Sequence, residues 1–226
     1  MKKLEYSYVI RFVALLIVLV VLLFLPAGRL DWWDAWVFIG LYSLFILAYG
    51  LWSSGNDPAQ LAERSHTAAN VKKWDQIILW IYTLLLLLMM VMAGLDGGRF
   101  HWAPVAPSVR LLGWLGLILA GSWIWWVITA NTFLSSHVRI QEEREHQTVT
   151  RGPYRFIRHP MYSGIIIFIL CIPLVLDSTL ALIPSIIIVA LFILRTVLED
   201  RTLQNELPGY KEYAQKVRYR LIPGIW

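Results

Sequence analysis

Two short stretches concentrate the side chains able to do chemistry. One is 151-RGPYRFIRHPMYSG-164, and the other is 195-RTVLEDRTL-203. Gly152-Pro153 signals a turn. Pro160 stands where a helix can begin, at a position that needs no backbone N–H. Arg158 and His159 then lie at that helix's entrance, where the positive end of the dipole favours a carboxylate or phosphate. His159 and Tyr162 are three apart and share a face beside Arg158. Arg151 and Arg155 read as anchors for lipid headgroups. Arg195 and Glu199 are four apart at the end of an apolar run. Charges so placed are partly desolvated and are functional candidates by default. The five histidines (His66, His101, His137, His146 and His159) show no HExxH or Cys/His spacing, so no metal site is expected. A P-loop, GxSxG and GxGxxG are also lacking, which leaves hydrolase, NTPase and Rossmann readings without support.

The elements that must position these residues are hydrophobic. Of 226 residues 58% are hydrophobic and only 15% charged, with a mean hydropathy of +0.60. That composition reads as an all-α, polytopic integral membrane bundle. Six apolar runs are long enough to cross or nearly cross a bilayer: about 9–26, 35–52, 76–95, 109–131, 161–176 and 179–197. The fifth is short, rising only ~24 Å as a helix. The basic start before the first run resembles a signal peptide, but no small-x-small cleavage site follows, so a retained helix is expected. Placing both termini inside leaves only Arg29, Arg99 and Arg110 outside, in keeping with the positive-inside rule and a bacterial inner membrane. Trp32, Trp33 and Trp36 at one end, with Trp52 and Trp74 at the other, suit interfacial belts. Cys171 lies in an apolar run and reads as packing.

The net charge of +5 comes without a basic run interleaved with aromatics, so no nucleic-acid partner is expected. No linker divides residues 1–226, which read as one membrane domain: a four-helix scaffold over 1–131 and a cofactor-binding and catalytic part over 132–226. Only Asp177 and Ser178 separate the fifth and sixth runs, which therefore form a tight hairpin. That hairpin brings Ser135–Gly164 together with Arg195–Trp226 on one face of the membrane. The stretch 206–226 suggests a C-terminal amphipathic helix, with Tyr210, Tyr213 and Val217 on one face, lying on the bilayer surface.

His146-x-x-Val149, Gly152-Pro153-Tyr154 and Arg158-His159-Pro160-x-Tyr162 resemble the isoprenylcysteine carboxyl methyltransferases and the related phospholipid N-methyltransferases. Arg195-x-x-x-Glu199-Asp200-x-x-Leu203, followed by the Tyr210, Tyr213 and Val217 pattern, is similar to theirs as well. The likeness covers about residues 135–226. These are integral membrane enzymes that use S-adenosylmethionine without a Rossmann fold. The resemblance implies cofactor contacts from His146, Gln147, Thr148, Val149, Tyr154, His159, Tyr162 and Glu199, and places Arg195 at the acceptor's reacting group. Asp200 stands where relatives have a second glutamate, and Leu207-Pro208-Gly209 departs from their acidic segment, which bears on the acceptor.

Physical chemistry suits that implication. Glu199 can hold the cofactor's ammonium, Arg158 or a helix N-terminus its carboxylate, and tyrosine faces its adenine and sulfonium. Transfer to a carboxylate is an in-line displacement that needs alignment more than a strong base. An amine acceptor would instead need His159 or Glu199 to remove a proton. The expected function is carboxyl O-methylation of an isoprenylcysteine-like or other isoprenoid or lipid acid, the partner being a lipophilic or prenylated acceptor within membrane lipid. Competing readings are a phospholipid N-methyltransferase, an NADPH-dependent reductase of the sterol type, and a transporter or scaffold. The last would place charges mid-helix, whereas here they gather at helix ends.

Overall fold

The computed structural model describes residues 2–65 and 71–226, with the side chains of 2–7 and 65 outside that description. His66 lies outside the described residues. The chain runs α1 (Lys2–Ala27), α2 (Trp33–Asn56), α3 (Pro58–Ser65), α4 (Lys73–Ala93), α5 (Pro107–Ala130), α6 (Pro160–Val175), α7 (Leu182–Glu206) and α8 (Tyr210–Lys216). Five of these segments are long and apolar enough to span a membrane, α4 doing so together with a π-helical extension over Gly94–Phe100. The chain is a polytopic helical membrane protein. α6 is the short sixth apolar helix, as its run of residues predicts. The six apolar runs thus all become helix, with α7 carrying on as far as Glu206, well past its apolar stretch.

Small residues let α6 seat closely against α5. A Cβ on Gly116 would come within 2.6 Å of the Cys171 sulfur, and one on Gly164 within 2.6 Å of Ile124. Close backbone approach of this kind drives helix association where lipid offers no hydrophobic gain. Pro173, near the end of α6, cannot donate to the carbonyl of Ile169 four residues earlier. The Ser185 hydroxyl from α7 donates to that carbonyl instead, at 2.9 Å. A break in one helix thereby becomes a link between two.

The far turn of the α6–α7 hairpin is tied down by charge. Buried Asp96, in the π-helical segment, accepts from the Ser178 hydroxyl at 2.7 Å and from the Ala103 N–H at 2.8 Å. Arg110 pairs with both Asp34 at 3.2 Å and Asp177 at 3.3 Å. Gly97 leaves no room for a side chain, since a Cβ there would lie 2.0 Å from the carbonyl oxygen of Leu176. The hairpin is wider than the sequence suggests, as α7 starts only at Leu182.

The expected C-terminal helix is present, though short. The helix covers only Tyr210–Lys216, and its Tyr210 and Tyr213 are buried against Val127, Tyr154 and Leu207. Its aromatic face packs on protein, on α5 and the loop before α6. Trp32 is likewise buried, while Trp33 and Trp36 stay exposed.

Candidate active site

On the face where α7 ends, the loop between α5 and α6 folds over a cleft. It encloses about 820 Å³ of empty space, partly open to solvent. Every candidate singled out in the sequence lines it: His146, Gln147, Thr148, Val149, Tyr154, Arg158, His159, Tyr162, Arg195 and Glu199. The i, i+4 geometry of α7 puts Arg195 and Glu199 on the cleft side, and α6 begins at Pro160, so Tyr162 sits in its first turn.

Their interactions differ from the simple pairing expected. Arg195 does not pair along its own helix. Its Nε donates to the carboxylate of fully buried Asp75, in the first turn of α4, at 2.7 Å, and its Nη2 donates to the carbonyl of Ser136 at 3.0 Å. Nη1 has no hydrogen-bond partner among the described residues. The guanidinium carbon lies 5.2 Å from the centre of the Tyr162 ring. The Tyr162 hydroxyl in turn donates to Glu199. A line therefore runs Asp75, Arg195, Tyr162, Glu199 across three helices. Asp75 also accepts from the Val138 N–H at 2.9 Å, which pins the loop to the line.

Arg158 plays a part other than the one expected. Its Nε and Nη2 donate to Asp200 at 2.8 and 3.1 Å, and its Nη1 faces the carbonyls of Ala214, Val217 and Arg218. With each of its three guanidinium nitrogens already bonded and its side chain buried, Arg158 has no pair of donors left for a bidentate clamp on a ligand carboxylate. The amides of Arg158 and His159 are taken too, by the carbonyls of Tyr219 and Arg220 at 2.9 Å each. His159 turns its Nε2 towards Asp200 at 3.3 Å and stacks its ring parallel to Tyr162. Asp200 also accepts from Gln204, Tyr210 and Arg220. The departure from the family pattern at this position is thus the hub that locks α6, α7 and the tail together.

The remaining wall is built by the loop. His146 stacks on Phe133 with ring centres 4.7 Å apart, and its Nδ1 is buried without a hydrogen-bond partner among the described residues. Burial, with Arg144 and Arg139 nearby, lowers its pKa to about 4, so it is neutral at physiological pH. The Thr148 hydroxyl donates to the carbonyl of Pro208 at 3.1 Å. The Tyr154 hydroxyl accepts from Asn131 at 2.8 Å, and burial raises its pKa. Glu63 of α3 grips Arg139 at 2.7 Å, and that hydrogen bond holds its carboxyl below the usual range. Asp75, Glu63 and Asn131 are the residues that reading the sequence missed. Each lies well away along the chain from the residue it partners, with no local pattern to mark it.

Beneath the cleft, between α1, α2, α4, α5 and α6, lies a second cavity, partly open like the first, with about 1130 Å³ of space counting its open side and a mostly apolar lining. Met161 lines both.

Residues 114–205, which carry the hairpin and most of the cleft, match the isoprenylcysteine carboxyl methyltransferase (ICMT) family. Among curated proteins the chain is 31% identical, over 93 residues, to a probable protein-S-isoprenylcysteine O-methyltransferase of Oryza sativa subsp. indica, covering 40% of this chain and 49% of that protein. It is 28% identical over 164 residues to protein-S-isoprenylcysteine O-methyltransferase A of Arabidopsis thaliana, covering 70% and 81%. It is also 30% identical over 131 residues to the cobalt-zinc-cadmium resistance protein CzcN of Cupriavidus metallidurans, covering 56% of each. The chain spans about half the length of the first of these relatives. The ICMT segment ends at residue 205, so α8 and the tail, which close the cleft around Asp200, lie beyond it.

Proposed function

We propose that the protein is an S-adenosylmethionine-dependent membrane methyltransferase that O-methylates the carboxylate of a lipophilic acid, isoprenylcysteine-like in kind. The observation that carries this is the line Asp75, Arg195, Tyr162, Glu199, with a cation and an anion side by side on one cleft wall. Relatives named as protein-S-isoprenylcysteine O-methyltransferases support the reaction class. The Lys/Arg distribution favours the cytoplasm as the side on which the cleft and both termini lie.

The cleft fits the cofactor on three counts. Glu199 offers a carboxylate to an ammonium group. The neutral His146 leaves a buried Nδ1 able to accept a hydrogen bond from an adenine amine. Tyr154 and Tyr162 supply aromatic surface for adenine and for a cationic sulfur. When bound there, S-adenosylmethionine supplies a methyl group on a sulfonium, open to displacement.

The chain's own residues do the aligning. Tyr162 fixes the orientation of Glu199 by donating to it. Arg195 keeps Nη1 available for an acceptor carboxylate, while Asp75 on its Nε edge draws off part of its charge. That tempering matters, since a carboxylate held too tightly by a cation is a poor nucleophile. Val149, Leu203 and Leu207 line the cleft with apolar surface and keep water from the reacting atoms. No strong base is needed, in keeping with a His159 whose Nε2 is turned to Asp200.

Calorimetry on the purified chain tests the reading, with S-adenosylhomocysteine and NADPH as ligands. Micromolar binding of the former, about −8 kcal/mol, weakened strongly by Glu199→Gln, is the expected result. Binding of NADPH alone would move the protein to the reductase class. Binding of neither would end the methyltransferase reading.

A further inference from the structure

We propose that the inner cavity binds a long-chain anionic amphiphile, with Arg64 anchoring its head group. The cavity is walled by residues such as Phe45, Ile124, Ile165, Phe168 and Ile172, and among the described residues Arg64 is the one charged residue in its lining. Arg64 lies in the last turn of α3 and lays its guanidinium over Tyr49 of α2, 5.5 Å from the ring centre.

The arginines that line the cleft all meet carboxylates: Arg139 with Glu63, Arg158 with Asp200, Arg195 with Asp75. Arg64 has no hydrogen bond and no ion pair among the described residues. Its contact with Tyr49 satisfies a face of the guanidinium, not its edge of N–H donors. Those donors suit a carboxylate or phosphate, which they can bind in bidentate fashion. An apolar chamber behind an open cation calls for a ligand with a tail of matching chemistry. A single long chain ending in an anion meets both demands at once. Because Met161 lines this cavity and the cleft alike, such a ligand would lie next to the acceptor site. This assignment stands apart from the methyltransferase reading, since Arg64 does not line the cleft.

Radiolabelled palmitic acid, palmitoyl lysophosphatidic acid and hexadecanol serve as probes, measured on the full chain in phosphatidylcholine nanodiscs at about pH 8, well above a carboxyl pKa, with empty nanodiscs subtracted. At least one anionic probe should bind about tenfold or more tightly than the alcohol, which is a difference of about 1.4 kcal/mol. The head group that binds better identifies the source, a free lipid acid or a lysophospholipid. Arg64→Gln should bring the ratio to about one, and Arg64→Lys should keep part of it. Gly121→Leu, whose Cβ meets only Phe45 at 4.0 Å, should fill the chamber and weaken every probe. S-adenosylhomocysteine binding by the same samples reports the state of the cleft independently. Equal binding of acid, phosphate and alcohol by the wild type would overturn the proposal without any variant. An anion preference that survives Arg64→Gln would overturn it as well.

Discussion

Asp75 and Asp200 are both fully buried carboxylates held by arginines, yet they organise their surroundings in opposite ways. Asp200 receives Arg158, Arg220, Gln204, Tyr210 and the ring nitrogen of His159, and the arginine it holds spends its Nη1 on backbone carbonyls. Asp75 receives Arg195 and one backbone N–H, with the His137 ring 3.8 Å away, and the arginine it holds keeps Nη1 without a partner among the described residues at the cleft wall. A buried charge cluster that is closed on itself fixes architecture. One left open at a whole guanidinium nitrogen is ready for a ligand. Residue type does not separate the two cases, since both are Asp–Arg pairs; the count of satisfied donors does.

The largest effect should come from the closed cluster. Asp200→Ala leaves Arg158 buried with an uncompensated charge, and removing one partner of such a pair costs about 3–5 kcal/mol. Thermal unfolding in detergent should show a large loss of stability, with the C-terminal tail exposed to protease. A variant as stable as the wild type would mean that the Asp200 hub does not hold α6 to the tail. The open cluster should respond the other way round. Glu199→Gln should weaken S-adenosylhomocysteine binding by about 10- to 100-fold, or 1.4–2.8 kcal/mol, with little change in unfolding temperature. Asp75→Asn keeps the shape but leaves Arg195 with its full charge. Its expected signature is a KM for acceptor that falls or holds while kcat drops, a split that a loosened scaffold would not give.

A third test moves to the opposite face. Gly97→Ala places a methyl against the Leu176 carbonyl oxygen, a backbone atom that cannot step aside. Overpacking of this kind costs about 1–3 kcal/mol. Because the far turn sets the pitch of the hairpin, cofactor binding should weaken only as far as stability does. Loss of binding at unchanged stability would show that the turn reaches the cleft by some other route.

Much of this was legible in the residues. The apolar runs gave the helices because a bilayer allows few other backbones, and the cleft lining could be read from 146–162 and 195–199 because its members sit at two ends of one short hairpin. What stayed hidden was pairing across distance. Asp75 precedes an apolar run and reads as an ordinary first-turn acid, while its partner Arg195 lies 120 residues away. Arg158 looked available because sequence shows donors and not the carbonyls that occupy them. The Tyr210 and Tyr213 stripe reads the same whether its face meets lipid or protein, and only the fold supplies Tyr154 and Leu207 as its cover.

The smallest expected effect sharpens the comparison at the cleft's rim, where His146 belongs to neither cluster. Its pKa of about 4 lies below the 6.5 of an exposed histidine, mainly through burial and next through Arg144 and Arg139. The folded protein therefore holds a neutral ring where the unfolded chain takes up a proton. Stability should be insensitive to this group above about pH 6.5 and should fall as pH drops towards 4, since the unfolded state then binds more protons. The slope from one such group is at most about 1.4 kcal/mol per pH unit. His146→Phe preserves the stack on Phe133 and should flatten stability over that window by up to one proton. It should also weaken S-adenosylhomocysteine at neutral pH, because the Nδ1 acceptor is gone. An unchanged pH slope would mean that the ring is solvated and charged in the folded state. It would then belong with the solvent-facing loop, and the unsatisfied atoms that mark the ligand cleft would narrow to the line through Arg195.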